Sequence, residues 1–279
     1  MKSDRTPFDA AMLSRPHGES PTIDSDAQLT KEDLVRLASV LDVTTLSSAD
    51  TPASVTSLCE TAKQVLNGTS AAAVCVYPYF VLQVSKALEE TDIQTAGVAG
   101  GFPDGLECPK VGSRHIDELL CCGAQEIDLV IPRYLAHEYR FEELYEWIAA
   151  WIPGDRAKTK VILSVAELGD AQKVYAAASV ALQAGADMVK TSTGKGHDQS
   201  SLELSIPMLE AIRDFERITG RKAGFKAAGG VRTAENAVQY LQLAESVLEE
   251  RLNKDRFRIG ASALVEDLRT NYALFCSSD

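Results

Sequence analysis

The sequence is short of the side chains that metal, redox and membrane chemistry need. It has four histidines, at 17, 115, 137 and 197, and none stands at a metal-ligand spacing from another. A zinc site is therefore not expected. Six cysteines occur (Cys59, Cys75, Cys108, Cys121, Cys122 and Cys276), with no CxxC pair and no dense framework. That pattern points to reduced, buried thiols rather than disulfides. No apolar run approaches the ~18–20 residues of a membrane span. Residues 1–29 hold no apolar core of signal-peptide type, so a cytoplasmic location is expected. Positive charge is also scarce: 28 Lys and Arg face 40 Asp and Glu, a net charge of −12. A chain of that sign repels nucleic acid and anionic membrane, though it can still hold a local cationic pocket.

What is present is the balance of a globular protein, with 45% hydrophobic and 24% charged residues in 279. Residues 1–29, rich in Ser, Asp, Pro and Thr, read as a mostly disordered leader. Thr30 and Asp33 form a capping-box pattern, which predicts a short helix leading into the domain. From there the chain alternates. Apolar, β-branched runs lie near 39–43, 72–77, 94–99, 125–131, 159–165, 186–191, 223–227 and 257–261. Helical periodicity marks 51–66, 170–184, 202–218 and 233–252. Such alternation implies parallel strands joined by crossover helices. Eight units in roughly 250 residues predict a (β/α)8 TIM barrel over 30–279, with an open doubly wound sheet as the other topology. No second domain boundary is visible.

Side chains alternate faces along a strand. In a barrel one parity meets the helices and must be apolar, and the other points inward. Ile127, Leu129 and Ile131 share one parity, so Asp128 takes the inward one. Val161, Leu163 and Val165 leave Lys160 inward, and Phe225 leaves Lys226 inward. Lys190 shares the inward parity with Met188, while Asp42 alternates with Val43 and Cys75 with Val74 and Val76. Unpaired charge in a barrel interior is costly. Two lysines at the ends of consecutive strands, with an aspartate two strands earlier, therefore point to chemistry.

Ammonium groups on neighbouring strands, about 6 Å apart, repel by roughly 2.8 kcal/mol at an effective dielectric of about 20. Desolvation acts in the same direction. One lysine is thereby left partly as the neutral amine that attacks a carbonyl and forms a Schiff base. The iminium is an electron sink that permits reversible carbon–carbon cleavage, and it needs no metal or cofactor. Asp128 is placed to move the protons.

A second group of residues points to phosphate. Lys190-Thr191-Ser192-Thr193-Gly194-Lys195 follows the sixth strand, and Gly229-Gly230 follows the seventh. Gly260-Ala261-Ser262 follows the eighth. The turns after strands seven and eight of such barrels commonly hold phosphate on backbone N–H groups.

These residues closely resemble the deoxyribose-phosphate aldolases, a class I aldolase family with a (β/α)8 fold. The likeness runs through "LDVTTL" (41–46), "AAVCVYP" (72–78), "GFPDG" (101–105) and "EIDLVI" (126–131). It continues through "GADMVKTSTGK" (185–195), "GFKAAGGVRTAE" (224–235) and "FRIGAS" (257–262). "AELGD" near 166–170 looks like the eukaryotic-type branch. The resemblance implies reversible cleavage of 2-deoxy-D-ribose 5-phosphate to D-glyceraldehyde 3-phosphate and acetaldehyde. It assigns Lys190 as the Schiff-base lysine, Lys226 as its perturbing neighbour and Asp128 as the proton relay. It puts Asp42, Thr44, Cys75, Thr193 and Lys195 in the substrate pocket, and Gly229, Gly230, Gly260 and Ser262 at the phosphate. The implied partner is a small phosphorylated sugar, with no cofactor, metal, nucleic acid or membrane; a homodimer stays open. Two departures stand out. Ala227 replaces the proline of most members, which loosens the turn after Lys226, and Ala263 replaces a second hydroxyl. The other readings are a different Schiff-base, phosphate-binding barrel lyase and a catalytically silent scaffold.

Overall fold

Thr30 begins the main body as its spacing predicts. Its hydroxyl accepts the Asp33 N–H at 3.1 Å, and the Asp33 carboxylate accepts the Thr30 N–H at 3.1 Å. Helix α1 (Lys31–Ser39) follows from this cap. The structure is a computed structural model and describes residues 6–16 and 29–277.

Eight strands come next: β1 (Leu41–Thr44), β2 (Ala73–Val76), β3 (Gln94–Ala99), β4 (Glu126–Val130), β5 (Lys158–Ile162), β6 (Met188–Lys190), β7 (Gly224–Ala228) and β8 (Phe257–Gly260). Every neighbouring pair is parallel, and β8 returns to pair with β1, so the barrel is closed and the open-sheet alternative is excluded. Between and after the strands run α2 (Pro52–Lys63), α3 (Val81–Leu88), α4 (Gly112–Cys121), α5 (Arg133–His137) and α6 (Phe141–Trp151). The ring is completed by α7 (Val165–Leu168), α8 (Ala171–Gln183), α9 (Leu202–Thr219), α10 (Ala234–Leu248) and α11 (Leu264–Ser277).

Local chemistry starts these helices. Thr51, Asp170, Ser201 and Thr233 each accept an N–H of the first turn on their side-chain oxygens. The core lies between strands and helices. Val43, Val74, Ile127, Leu129, Val161, Val189, Phe225, Phe257 and Ile259 turn outward into it and are buried. Each such side chain contributes about 1.5–3 kcal/mol of burial. Among the described residues, no helix is long and apolar enough to cross a membrane.

The leader reading needs a refinement. Residues 1–5 and 17–28 lie outside the described residues, but residues 6–16 dock on the helical ring. Asp9 caps a 3-10 turn, Ala10–Leu13, with Met12 buried. Thr6 N–H donates to the Gln183 carbonyl at 3.0 Å, and Asp9 N–H to its side-chain Oε1 at 2.6 Å. Arg15 Nε reaches Glu210 Oε2 at 2.6 Å. Composition hides this segment, because Phe8 and Met12 are isolated anchors in a polar stretch. The cysteine expectation is also corrected. All six are free, but only Cys59 and Cys75 are buried, while Cys108, Cys121 and Cys276 are exposed. Cys121 sits on the solvent side of α4, so the expectation of a buried thiol fails for it.

Candidate active site

The parity argument holds in three dimensions. Asp42, Asp128, Lys160, Lys190 and Lys226 all point into the barrel and are buried. Register then sets them side by side. Lys190 on β6 pairs directly with Lys226 on β7, which pairs with Arg258 on β8. Asp128 on β4 pairs with Lys160 on β5.

One oxygen ties the two lysines together. Asp128 Oδ2 accepts from Lys190 Nζ at 2.7 Å and from Lys226 Nζ at 2.8 Å. The two nitrogens are therefore no farther apart than those contacts laid end to end. Lys226 Nζ also donates to Asp42 Oδ2 at 2.5 Å. Lys160 Nζ lies 2.9 Å from Asp128 Oδ1, 2.5 Å from Glu126 Oε2 and 3.4 Å from Asp42 Oδ2. Lys160 thus belongs to the site's electrostatics and to an ion pair with Glu126 at once.

Arg258 closes the network. Its Nη1 donates to Asp42 Oδ1 at 2.6 Å, and its Nη2 to Glu126 Oε1 at 2.8 Å. The residue reading missed Arg258, although the signal was there: Phe257 and Ile259 face the helices, so Arg258 must face inward.

Counting charge shows what the cluster favours. Four basic groups (Lys160, Lys190, Lys226, Arg258) meet three carboxylates (Asp42, Glu126, Asp128) in one buried network. The interior is neutral when one base gives up its proton. Burial pushes Lys190 below the ordinary lysine range, and Lys226 pushes it further down against the opposing pull of Asp128. Desolvation is thus the larger cause, and the repulsion stressed from sequence comes second. Lys226 moves the other way. Burial disfavours its charge, but Asp128 and Asp42 outweigh burial and hold it protonated. Lys160 is held protonated for the same reason, by Asp128, Glu126 and Asp42. Burial disfavours the charge of Asp128, yet Lys160, Lys190 and Lys226 overcome it and keep the carboxylate ionised. Lys190 is therefore the base best placed to be neutral.

Above the network opens a cavity of about 220 Å³. Lys190, Thr44, Thr193, Lys195, Gly229, Gly230, Gly260 and Ser262 all line it. Asp42 and Cys75 do not; they are buried and bond into the network beneath. Cys75 Sγ lies 3.8 Å from Asp128 Oδ2, and burial together with Asp128 pushes its thiol up to about 12. Cys75 is accordingly a neutral thiol. Leu46 lines the cavity and packs with Cys75, Ala96 and Val98, with Tyr77 and Phe102 against them, so one side of the mouth is apolar.

The turns are shaped for close approach. Gly229 and Gly230 have φ of +83° and +80°, and a Cβ on Gly229 would lie 2.3 Å from Ser192 Oγ. Arg232, unnoticed in the sequence, adds an exposed guanidinium to the cavity rim. The Ser262 hydroxyl accepts the Thr44 N–H at 2.8 Å and donates to the Thr44 carbonyl, stitching β8 to β1. Ala227 lies inside β7, paired with Ile259, so the missing proline affects a strand and not the turn.

Comparison with known proteins gives the family. The DeoC/LacD family aldolase profile matches residues 36–264. A mouse protein named deoxyribose-phosphate aldolase is 41% identical over 251 residues, covering 84% of this chain and 79% of its own. Its human counterpart of the same name is 40% identical over the same shares. A deoxyribose phosphate aldolase from Aeropyrum pernix, described as tetrameric, shares the fold with a TM-score of 0.68 at 24% identity. That likeness spans 88% of this chain and 100% of that one. With its closed barrel and its paired interior lysines, this chain belongs to the DeoC/LacD family of aldolases.

Proposed function

We propose that the protein is a class I aldolase that reversibly cleaves 2-deoxy-D-ribose 5-phosphate to D-glyceraldehyde 3-phosphate and acetaldehyde. The observation that carries this reading is a buried lysine, Lys190, whose proton affinity burial lowers, 2.7 Å from Asp128 and open to a small polar cavity.

The steps are those of Schiff-base aldol cleavage, with this site's residues in the roles their geometry supports. The Lys190 amine adds to C1 of the open-chain sugar. Asp128 shuttles the proton that lets the carbinolamine lose water and become an iminium. The C3 hydroxyl loses its proton, the C2–C3 bond breaks, and its electron pair flows into the iminium to give an enamine. D-Glyceraldehyde 3-phosphate leaves. The enamine takes a proton at C2, and water releases acetaldehyde and Lys190. Lys226 stays charged and holds Asp128 in place. Asp42, bonded to Lys226 and Arg258, supports the pocket from beneath, and Cys75 packs its floor.

The two ends of the cavity suit the two ends of the substrate. The apolar side at Leu46 accommodates the acetaldehyde carbons. The turns at Gly229, Gly230, Gly260 and Ser262 offer backbone N–H groups to the phosphate, with Lys195 and Arg232 supplying charge. Thr44 and Thr193 flank the sugar. This reading places the protein in the cytoplasm, in the breakdown of deoxyribose phosphates.

Borohydride reduction with acetaldehyde, followed by peptide mass spectrometry, is the test. A two-carbon label on Lys190 is expected, and Lys190→Ala loses both label and turnover. Absence of label supports the silent scaffold instead. A label without turnover of deoxyribose 5-phosphate supports a different Schiff-base lyase.

A further inference from the structure

The turn after β6 carries a buried carboxylate to which the aldolase reading gives no role. Asp198 Oδ2 accepts two hydrogen bonds from the same residue, Thr193: its N–H at 2.6 Å and its hydroxyl at 2.8 Å. Asp198 Oδ1 is buried and has no partner among the described residues. Thr193 lines the cavity beside Lys190, and Asp198 stands behind it. The Thr193 oxygen also accepts the Lys195 N–H at 3.2 Å.

The turn is built to hold this arrangement. Gly194 and Gly196 take φ of +71° and +56°, curling the chain back so that Asp198 N–H reaches the Lys195 carbonyl at 3.0 Å. The backbone of Asp198 presses on the neighbouring turn, where a Cβ on Gly229 would lie 2.9 Å from its carbonyl oxygen.

A hydroxyl has one hydrogen to give and two acceptor sites. A carboxylate only accepts, so the Thr193 hydrogen goes to Asp198. The Lys195 N–H takes one acceptor site. The hydrogen-bonding capacity left to the Thr193 oxygen is its remaining lone pair, and Thr193 lines the cavity.

We propose that Asp198 is a specificity-determining positioning residue, which fixes Thr193 as a hydrogen-bond acceptor so that this wall selects substrates with a free hydroxyl next to the reacting carbon. The inference rests on the aldolase reading. A phosphate or carbonyl oxygen, acceptor only, meets a lone pair there with a carboxylate behind it. Such groups are turned away towards Gly229, Gly230 and Arg232. The cavity thereby reads its substrate in one orientation.

The test runs the reaction in the addition direction. Acetaldehyde is the donor, and the acceptor is D-glyceraldehyde 3-phosphate or 3-oxopropyl phosphate, the same aldehyde without its 2-hydroxyl. The readout is the ratio of kcat/KM for the two acceptors. The protein as it stands favours the hydroxylated acceptor. Asp198→Ala frees the Thr193 hydroxyl to rotate, and the ratio falls about tenfold, through KM of the hydroxylated acceptor. Asp198→Asn retains the ratio, because the Thr193 N–H pins the amide oxygen where it still accepts the hydroxyl hydrogen. Thr193→Val lowers the ratio as Asp198→Ala does.

An unchanged ratio in Asp198→Ala overturns the proposal. So does an Asp198→Asn protein that loses the ratio, since charge and not orientation is then at work. If Asp198→Ala fails to fold, Thr193→Val decides: an unaltered ratio there overturns the proposal equally. An unmodified protein that labels at Lys190 and turns over both acceptors alike removes only this inference. One that labels nowhere and adds to neither removes the aldolase reading as well.

Discussion

Arg258 and Glu126 lock together inside the barrel, with Nη2 to Oε1 at 2.8 Å and Nη1 to Oε2 at 3.2 Å. Both side chains are nearly cut off from solvent. Arg258 never touches Lys190, yet it ends a continuous chain of contacts that starts there: Lys190 to Asp128, to Lys226, to Asp42, to Arg258. The pair therefore belongs to the charge balance around Lys190.

Opposite substitutions in this pair should act in opposite directions. Arg258→Met withdraws a positive charge, so Lys190 holds its proton more tightly and the pH profile of imine formation moves up. Glu126→Gln withdraws a negative charge and moves the profile down. The double variant returns towards the starting profile. Each single variant breaks a buried pair but leaves the remaining charge a second partner, Lys160 for Glu126 and Asp42 for Arg258. It therefore loses less in a urea melt than the about 3–5 kcal/mol of a stranded charge, and the double variant loses less than the two singles summed. Borohydride trapping rates across pH measure the profile. Single variants that shift in the same direction would show that the pair acts by packing alone.

Lys226→Leu tests the nearer neighbour. Lys226 lowers the proton affinity of Lys190 by repulsion, second to burial. Its removal raises the Lys190 value and leaves Asp128 with one fewer competing cation. A lysine attacks only when neutral, so the fraction ready to react falls at neutral pH and recovers as pH rises. Imine formation at neutral pH drops, and the profile moves to higher pH, in a protein whose circular dichroism is unchanged. An unmoved profile would remove Lys226 from the control of Lys190.

Much of this site was legible because strand parity is a rigid rule. Ile127, Leu129, Val161 and Phe225 mark the helix-facing side, and Asp128, Lys160 and Lys226 follow on the other. Arg258 obeys the same rule between the helix-facing Phe257 and Ile259. Turn residues have no such rule. Nothing in the spacing of Thr193 and Asp198 says that a chain curled by two glycines brings them within 2.8 Å. The short helices at 133–137 and 165–168 were likewise invisible, since a single turn carries no period to read.

Gly260 shows how closely the strands are fitted around the lysines. It sits at the end of β8, and a Cβ there would lie 3.1 Å from Lys226 Cε and 3.1 Å from Ala228 Cβ. Gly260→Ala should fold, because no positive φ is involved, but it must push the Lys226 chain aside. A displacement approaching 1 Å at a catalytic group costs up to about 10²-fold in rate. We expect kcat to fall ten- to a hundredfold, roughly, with borohydride labelling of Lys190 slowed in parallel. Full activity would mean that Lys226 tolerates a range of positions.

The N-terminal segment answers a question posed by α8. Ten consecutive residues of that helix, Val174 to Gln183, are buried. A helix on the outer ring of a barrel normally keeps one polar, solvated face. This one is apolar nearly all round because residues 6–16 cover the side that would otherwise meet water, with Met12 buried in the contact. Met12→Ala removes the anchor and opens a void at the edge of the core, a change that costs about 2 kcal/mol. In a barrel of this size that lowers Tm by about 4–8 °C. Turnover at temperatures well below the transition should not change, because the segment touches the ring and not the strand interior. A Met12→Ala protein that melts like the parent would mean that the segment contributes nothing in solution, and the apolar outer face of α8 would then need another cover.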